Sequence, residues 1–170
     1  YACSQELNGN QSNPMPPVIG TICHEFSHVL GLADHYDTDY GNQGQAFHSG
    51  EWDLMANGGH NNNGKCPPLW SSFQRNTLNF CPIEELPVSG ANWKGNKTLP
   101  PLTRENRAYK MSFSPNEYFI LENRQREGWD RFLPGNGMLI YHVDKNVPGY
   151  YMNCANCNPE WMGLDRKCVV

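Results

Sequence analysis

The chain has 170 residues, the size of one domain, and a globule of that length buries about two-thirds of the surface its unfolded chain exposes. Hydrophobic residues make up only 38% even with tyrosine counted, against 16 glycines and 13 prolines, which predicts a fold rich in turns and irregular loops. The net charge of −4, with no basic run, excludes the electrostatic footprint of a nucleic-acid binder, and no stretch reaches the roughly 18 apolar residues of a membrane span.

Residues 1–17 are polar and end in "NPMPP", where proline removes donors and restricts the residue before it, so a lead-in loop or strand end is expected there. The start has neither a basic region nor an apolar core, so no targeting segment is visible. From Val18 the pattern changes. Ile22, Phe26, Val29 and Leu30 fall at the spacing of one helical stripe, and Gly31 supplies the left-handed position that stops a helix. Residues 34–65 show no sustained period, and a loop this long usually carries function. "PPLWSSFQRNTLNF", residues 67–80, predicts a second helix with prolines in its first turn and Leu69, Phe73 and Leu78 on one side. "RAYKMSF", "EYFILEN" and "GMLIYHVD" then predict a hairpin turned by "SPNE" and a third strand. The expected class is α+β, in one domain: a lead-in loop (1–17), a helix and functional loop (18–66), and a helix with a β-rich C-terminal region (67–170).

Seven cysteines are many for a cytosolic enzyme but few for a disulfide scaffold, and their odd number leaves at least one unpaired. Cys154 and Cys157 have CxxC spacing, with only Cys168 nearby as a further ligand, so buried thiols or a disulfide are favoured over a structural metal.

The chemistry concentrates in "HEFSHVLGLADHYD", residues 24–37. Residues four apart on a helix share a face, so His24 and His28 can place two imidazole nitrogens on one ion. Glu25 lies one position round the helix, where its carboxylate reaches a water at that ion without ligating it. Hydrolytic zinc sites take three protein ligands and keep one position open. The turn at Gly31 brings Asp34 into the register of a third ligand, with His35, the softer donor, as runner-up. Asp37 and Asp39 read as loop caps, with a calcium site as the alternative. Tyr36 and His48 are candidate hydrogen-bonding groups toward a ligand. Glu122, Arg124 and Asp130 read as strand-end and loop ion pairs, and His142 as a satisfied structural histidine.

The string H-E-x-x-H-x-x-G-x-x-D with a downstream methionine resembles the metzincins, in which a methionine-containing turn lies beneath the zinc, and "GEWDLMANGG" around Met55 looks like that turn. The closer resemblance is to the immune inhibitor A-like peptidases, carried by the HEFSH helix, "GLADHYD", "WDLM", "ENRQREGWDRFLPGNG" and "HVD" from residue 20 to about 145. Ala33 departs from the proline common there, and His35 from the usual residue. The resemblance implies an exported zinc endopeptidase acting on proteins or peptides outside the cell or at its surface. In it Glu25 is the general base, His24, His28 and Asp34 hold one zinc, and Met55 is a core residue under the site. The alternative is a catalytically incomplete module that binds metal or protein without turnover. Metzincin-like enzymes also place a sheet before the zinc helix, and 23 residues before His24 leave no room for it. The expectation is therefore a partial catalytic domain that lacks that N-terminal sheet, exposes apolar surface along Ile22, Phe26 and Val29, and self-associates or is completed by another segment.

Overall fold

The computed structural model describes residues 8–10, 12–15, 18–38, 48–88 and 95–147. These form a mixed α+β structure with two short helices and a four-stranded sheet. The lead-in region holds a small hairpin, in which β1 (Asn8–Asn10) pairs antiparallel with β2 (Asn13–Met15).

Helix α1 spans Ile19–Val29. No side chain caps its N-terminus; instead the Gly20 amide donates to the Gly64 carbonyl at 2.8 Å. A Cβ at Gly20 would lie 1.8 Å from the Gly59 carbonyl oxygen, so only glycine lets this end of α1 seat against the 3-10 turn Gly58–His60. At the other end Gly31 adopts φ +104°, its amide donates to the His28 carbonyl at 2.9 Å, and the Leu32 amide donates to the Ser27 carbonyl at 3.1 Å. This paired closure is the Schellman motif. The apolar stripe that identified the helix faces outward, with Ile22 44%, Phe26 57% and Val29 61% exposed. The positions that α1 buries are Gly20 and Ser27.

The second helix is shorter than its sequence pattern predicts. Helix α2 covers Ser72–Thr77 and begins after Ser71, whose hydroxyl accepts from the Gln74 amide while the Gln74 side chain accepts from the Ser71 amide. This reciprocal cap fixes the start there, and the prolines at 67 and 68 lie ahead of it.

The three expected strands are β4 (Ala108–Ser114), β5 (Glu117–Arg124) and β6 (Gly137–Asp144), joined antiparallel, with the short β3 (Ile83–Glu85) running parallel to β4. Alternate residues of β5 are buried, and Ala108, Tyr118, Ile120, Tyr141 and Val143 form the core on that face, with Phe73 of α2 packed against it.

The strand-end and loop ion pairs expected at Glu122, Arg124 and Asp130 are present, Arg124 at the end of β5 pairing with both carboxylates. All three side chains are fully buried. Arg124 grips Asp130 through two nitrogens at 2.8 and 2.7 Å, reaches Glu122 at 3.1 Å and donates to the Leu69 carbonyl at 3.1 Å. The carboxylates bind the Ser72 and Leu69 amides and the Tyr141 hydroxyl. Glu122 and Arg124 alternate on the buried face of β5, and paired charges are what make such burial tolerable. The network fastens α2 and its lead-in to the sheet.

Cys23, Cys66 and Cys81 are free thiols, while Cys3, Cys154, Cys157 and Cys168 lie outside the described residues. No helix among the described residues is long and apolar enough to cross a membrane.

Candidate metal centre

Helix α1 sets His24 and His28 on one face, with ring centroids 4.9 Å apart and nearly perpendicular. The Nδ1 of His24 lies 2.8 Å from the Leu54 carbonyl and that of His28 lies 2.8 Å from the Leu32 carbonyl. A carbonyl only accepts, so both contacts put the proton on Nδ1 and, in the neutral ring, leave the lone pair on Nε2. Each Nε2 lies 3.2 Å from the same atom, Oδ1 of Asp34, which the turn after Gly31 carries back to the helix. Ligand atoms of His24, His28 and Asp34 all fall within 4.8 Å of one another.

Two imidazole nitrogens and a carboxylate oxygen are three acceptors gathered within 4.8 Å of one another. A proton on one imidazole or a bound cation would offset the mutual repulsion of these acceptors, and two nitrogens with one carboxylate oxygen fit a divalent metal ion. The protonated alternative is visible in His24, whose pKa is raised by its hydrogen bond to Asp34 against the opposing pull of burial. A cation binding here competes with that proton.

His35 is turned elsewhere. Its Nδ1 lies 2.6 Å from Oδ2 of Asp53, and its ring packs 5.5 Å from that of Phe73. Burial pulls the pKa of His35 down, but the charge and hydrogen bond of Asp53 outweigh it and the net shift is upward. Burial likewise opposes ionisation of Asp53, yet His35 holds it below the usual carboxylate value. The two shifts agree on a buried ion pair.

Met55 is wholly buried. Its amide donates to Oδ1 of Asp53 at 2.7 Å and its carbonyl accepts from the His35 amide at 2.8 Å, while the carbonyl of the preceding Leu54 holds His24. The methionine turn and the histidine helix are thus joined directly. Glu25 is half-buried, one position round α1 from His24. The Tyr36 ring lies 6.4 Å from that of His24. His48 accepts from the Gly50 amide at 3.0 Å, so it caps a local turn. Asp37 is buried, and Asp39 lies outside the described residues. His142 pairs with Glu117 at 3.0 Å on the sheet, away from this cluster.

Sequence reading missed Asp53 and Gln74. Oδ1 of Asp53 accepts from the amide two residues on, the habit of an aspartate in an Asx turn, and Gln74 stands three residues after a helix-capping serine. Both signals were readable locally, but their meeting, with the Gln74 amide donating to Asp53, is tertiary. The same holds for Trp70, whose indole donates to the buried Ser27 hydroxyl of α1 at 2.9 Å.

Residues 10–80 match the family model described as immune inhibitor A peptidase M6, catalytic domain. The chain is similar to that family over the segment that holds α1, the Asp34 turn, the turn around Met55 and α2. A curated protein of Arthroderma benhamiae, named "Putative secreted metallopeptidase", is 30% identical over 63 residues, which cover 37% of this chain and 9% of that protein. The chain therefore matches a small fraction of that relative's length. No solved structure matches the chain significantly.

Proposed function

We propose that the chain is a zinc-dependent metallopeptidase whose single metal is held by His24, His28 and Asp34 and whose general base is Glu25. The observation that carries this reading is the convergence of three acceptor atoms within 4.8 Å, with both imidazoles oriented by Nδ1–H donation to backbone carbonyls. Bound there, zinc supplies the Lewis acidity that makes a water nucleophilic at neutral pH and polarises a substrate carbonyl. Glu25 takes the proton of the attacking water and returns it to the leaving amine. Leu54 and Leu32 fix the two rings, the Gly31 turn delivers Asp34, and Met55 fills the core under the site without giving a proton or a ligand.

The family match over residues 10–80 and the name of the fungal relative support protein or peptide substrates and action outside the cell. The metzincin-like arrangement, with residues 18–66 as the metal-holding part and residues 67–170 as its support, belongs to the same reading. The exposed stripe on α1 supports self-association or completion by a further segment.

Zinc titration of chelator-treated protein should return one ion per chain. Glu25→Gln should keep that ion and lose hydrolysis of an unfolded protein substrate by at least about 100-fold, the lower range for a positioned acid–base group. Near-normal turnover by Glu25→Gln would overturn the mechanism. Failure of the unaltered chain to bind zinc would overturn the whole reading. Stoichiometric zinc without turnover would instead favour a metal-binding module.

A further inference from the structure

We infer that Asp53 is a positioning residue for the metal centre, setting the placement of Asp34 and His24 through the groups that flank them; this rests on the reading of His24, His28 and Asp34 as ligands. The residue is 1% exposed, and its side chain makes three contacts, to His35, Met55 and Gln74. Oδ2 takes the ring of His35, the residue after Asp34, at 2.6 Å. Oδ1 takes the Met55 amide at 2.7 Å and the Gln74 side-chain amide of α2. The circuit closes through the backbone: the Met55 carbonyl accepts from the His35 amide at 2.8 Å, and the Leu54 carbonyl between Asp53 and Met55 accepts from His24.

A shift of Asp53 thus reaches two of the three ligands by single covalent steps. On one side it moves His35 and with it the backbone of Asp34. On the other it moves Leu54 and with it the orientation of the His24 ring. His28 is held differently, by the Leu32 carbonyl, and is outside this circuit. The anchor is in turn fixed, because Gln74 lies in α2, whose neighbours Ser72 and Leu69 are bound to the buried Glu122 and Asp130 of the sheet half. A buried ion pair is a poor source of stability against an apolar substitute, but it specifies one geometry, which is what a metal site needs.

The test is zinc affinity by chelator competition together with the visible spectrum of the cobalt(II)-loaded protein, which reports ligand geometry independently of turnover. Asp53→Asn keeps the shape and the acceptor oxygen but removes the charge that holds His35. It should weaken zinc by about 10- to 100-fold, the usual effect of losing an outer partner of a ligand, and should alter the cobalt spectrum. Gln74→Met, close in size, leaves the Asp53–His35 pair in place; it should show a smaller loss with the same sense of spectral change, and it serves if Asp53→Asn does not fold. Asp53→Asn or, where that variant does not fold, Gln74→Met that melts at lower temperature yet binds zinc and cobalt like the unaltered chain would show a merely structural role and overturn the inference. If the unaltered chain itself fails to bind zinc, the ligand assignment fails first, and the two failures are distinguishable.

Discussion

The segment from Ile19 to Cys66 and the sheet from Ala108 to Asp144 solve the same problem by different means. The sheet half is held by a repeating ladder, eight residue pairs between β5 and β6 alone, over an apolar core and a buried ionic network. The histidine half has one helix and two 3-10 turns among its described residues, and its order comes from single contacts: a Schellman closure at Gly31, two imidazole-to-carbonyl bonds and the three bonds of Asp53. Ladder order is redundant, so loss of one contact is shared. Order built from single contacts is local, so loss of one shows at the site. The two halves should therefore fail in different ways, the sheet through stability and the histidine half through metal affinity.

The largest expected effect tests the sheet half. Arg124→Met removes the cation between two buried carboxylates, Glu122 and Asp130, and should destabilise the chain by about 3–5 kcal/mol, the range for breaking a buried pair from one side. Urea unfolding followed by circular dichroism measures it as a lower midpoint at an unchanged slope. A loss well under 1 kcal/mol, close to that of an exposed pair, would mean the network does not fasten α2 and its lead-in to the sheet.

The next effect belongs to the histidine half. Asp34→Ala removes a proposed ligand and should weaken zinc by more than the roughly 100-fold upper range for an outer partner, whereas His35→Ala should stay within about 10- to 100-fold. Chelator competition titration ranks the two. The reverse order would move the third ligand to His35 and undo the separation drawn between coordinating and positioning groups.

The same contrast explains what could be read from residues alone. The strands were legible because alternation along β5 and β6 is a local pattern with a period of two, and their burial follows it. The histidine pair and Gly31 were legible because helix geometry fixes which side chains share a face and where glycine is needed. Helix α2 starts later than the prolines at 67 and 68 suggest because the reciprocal cap of Ser71 and Gln74 fixes its first turn. Asp130 looked like a loop charge because its burial depends on Arg124, six residues earlier, and on Leu69, which the sequence places 61 residues away. Asp53 escaped for the same reason: each of its partners is unremarkable in its own segment, and only their assembly makes a frame.

The smallest effect is a slope in the stability of the sheet half at alkaline pH. Tyr141 is buried and its hydroxyl donates to Glu122 at 2.6 Å. Burial, and then the charge of Glu122, raise its pKa well above the ordinary value of 10.0. The sign follows from proton counting. Between the unfolded pKa and the higher folded one, the native state holds a proton that the unfolded chain releases, so the unfolded state binds fewer protons and stability falls as pH rises. Below the unfolded value both states are protonated and the contribution is complete. One such group adds a slope of about −1.4 kcal/mol per pH unit above pH 10. Other tyrosines and lysines titrate in that range, so the comparison is with Tyr141→Phe, which loses the hydrogen bond at every pH but has no proton to lose. Urea unfolding at a series of pH values from 8 to 11.5 should show the variant less stable at the low end and the two curves converging above pH 10. Parallel curves throughout would mean that Tyr141 titrates normally in the folded chain.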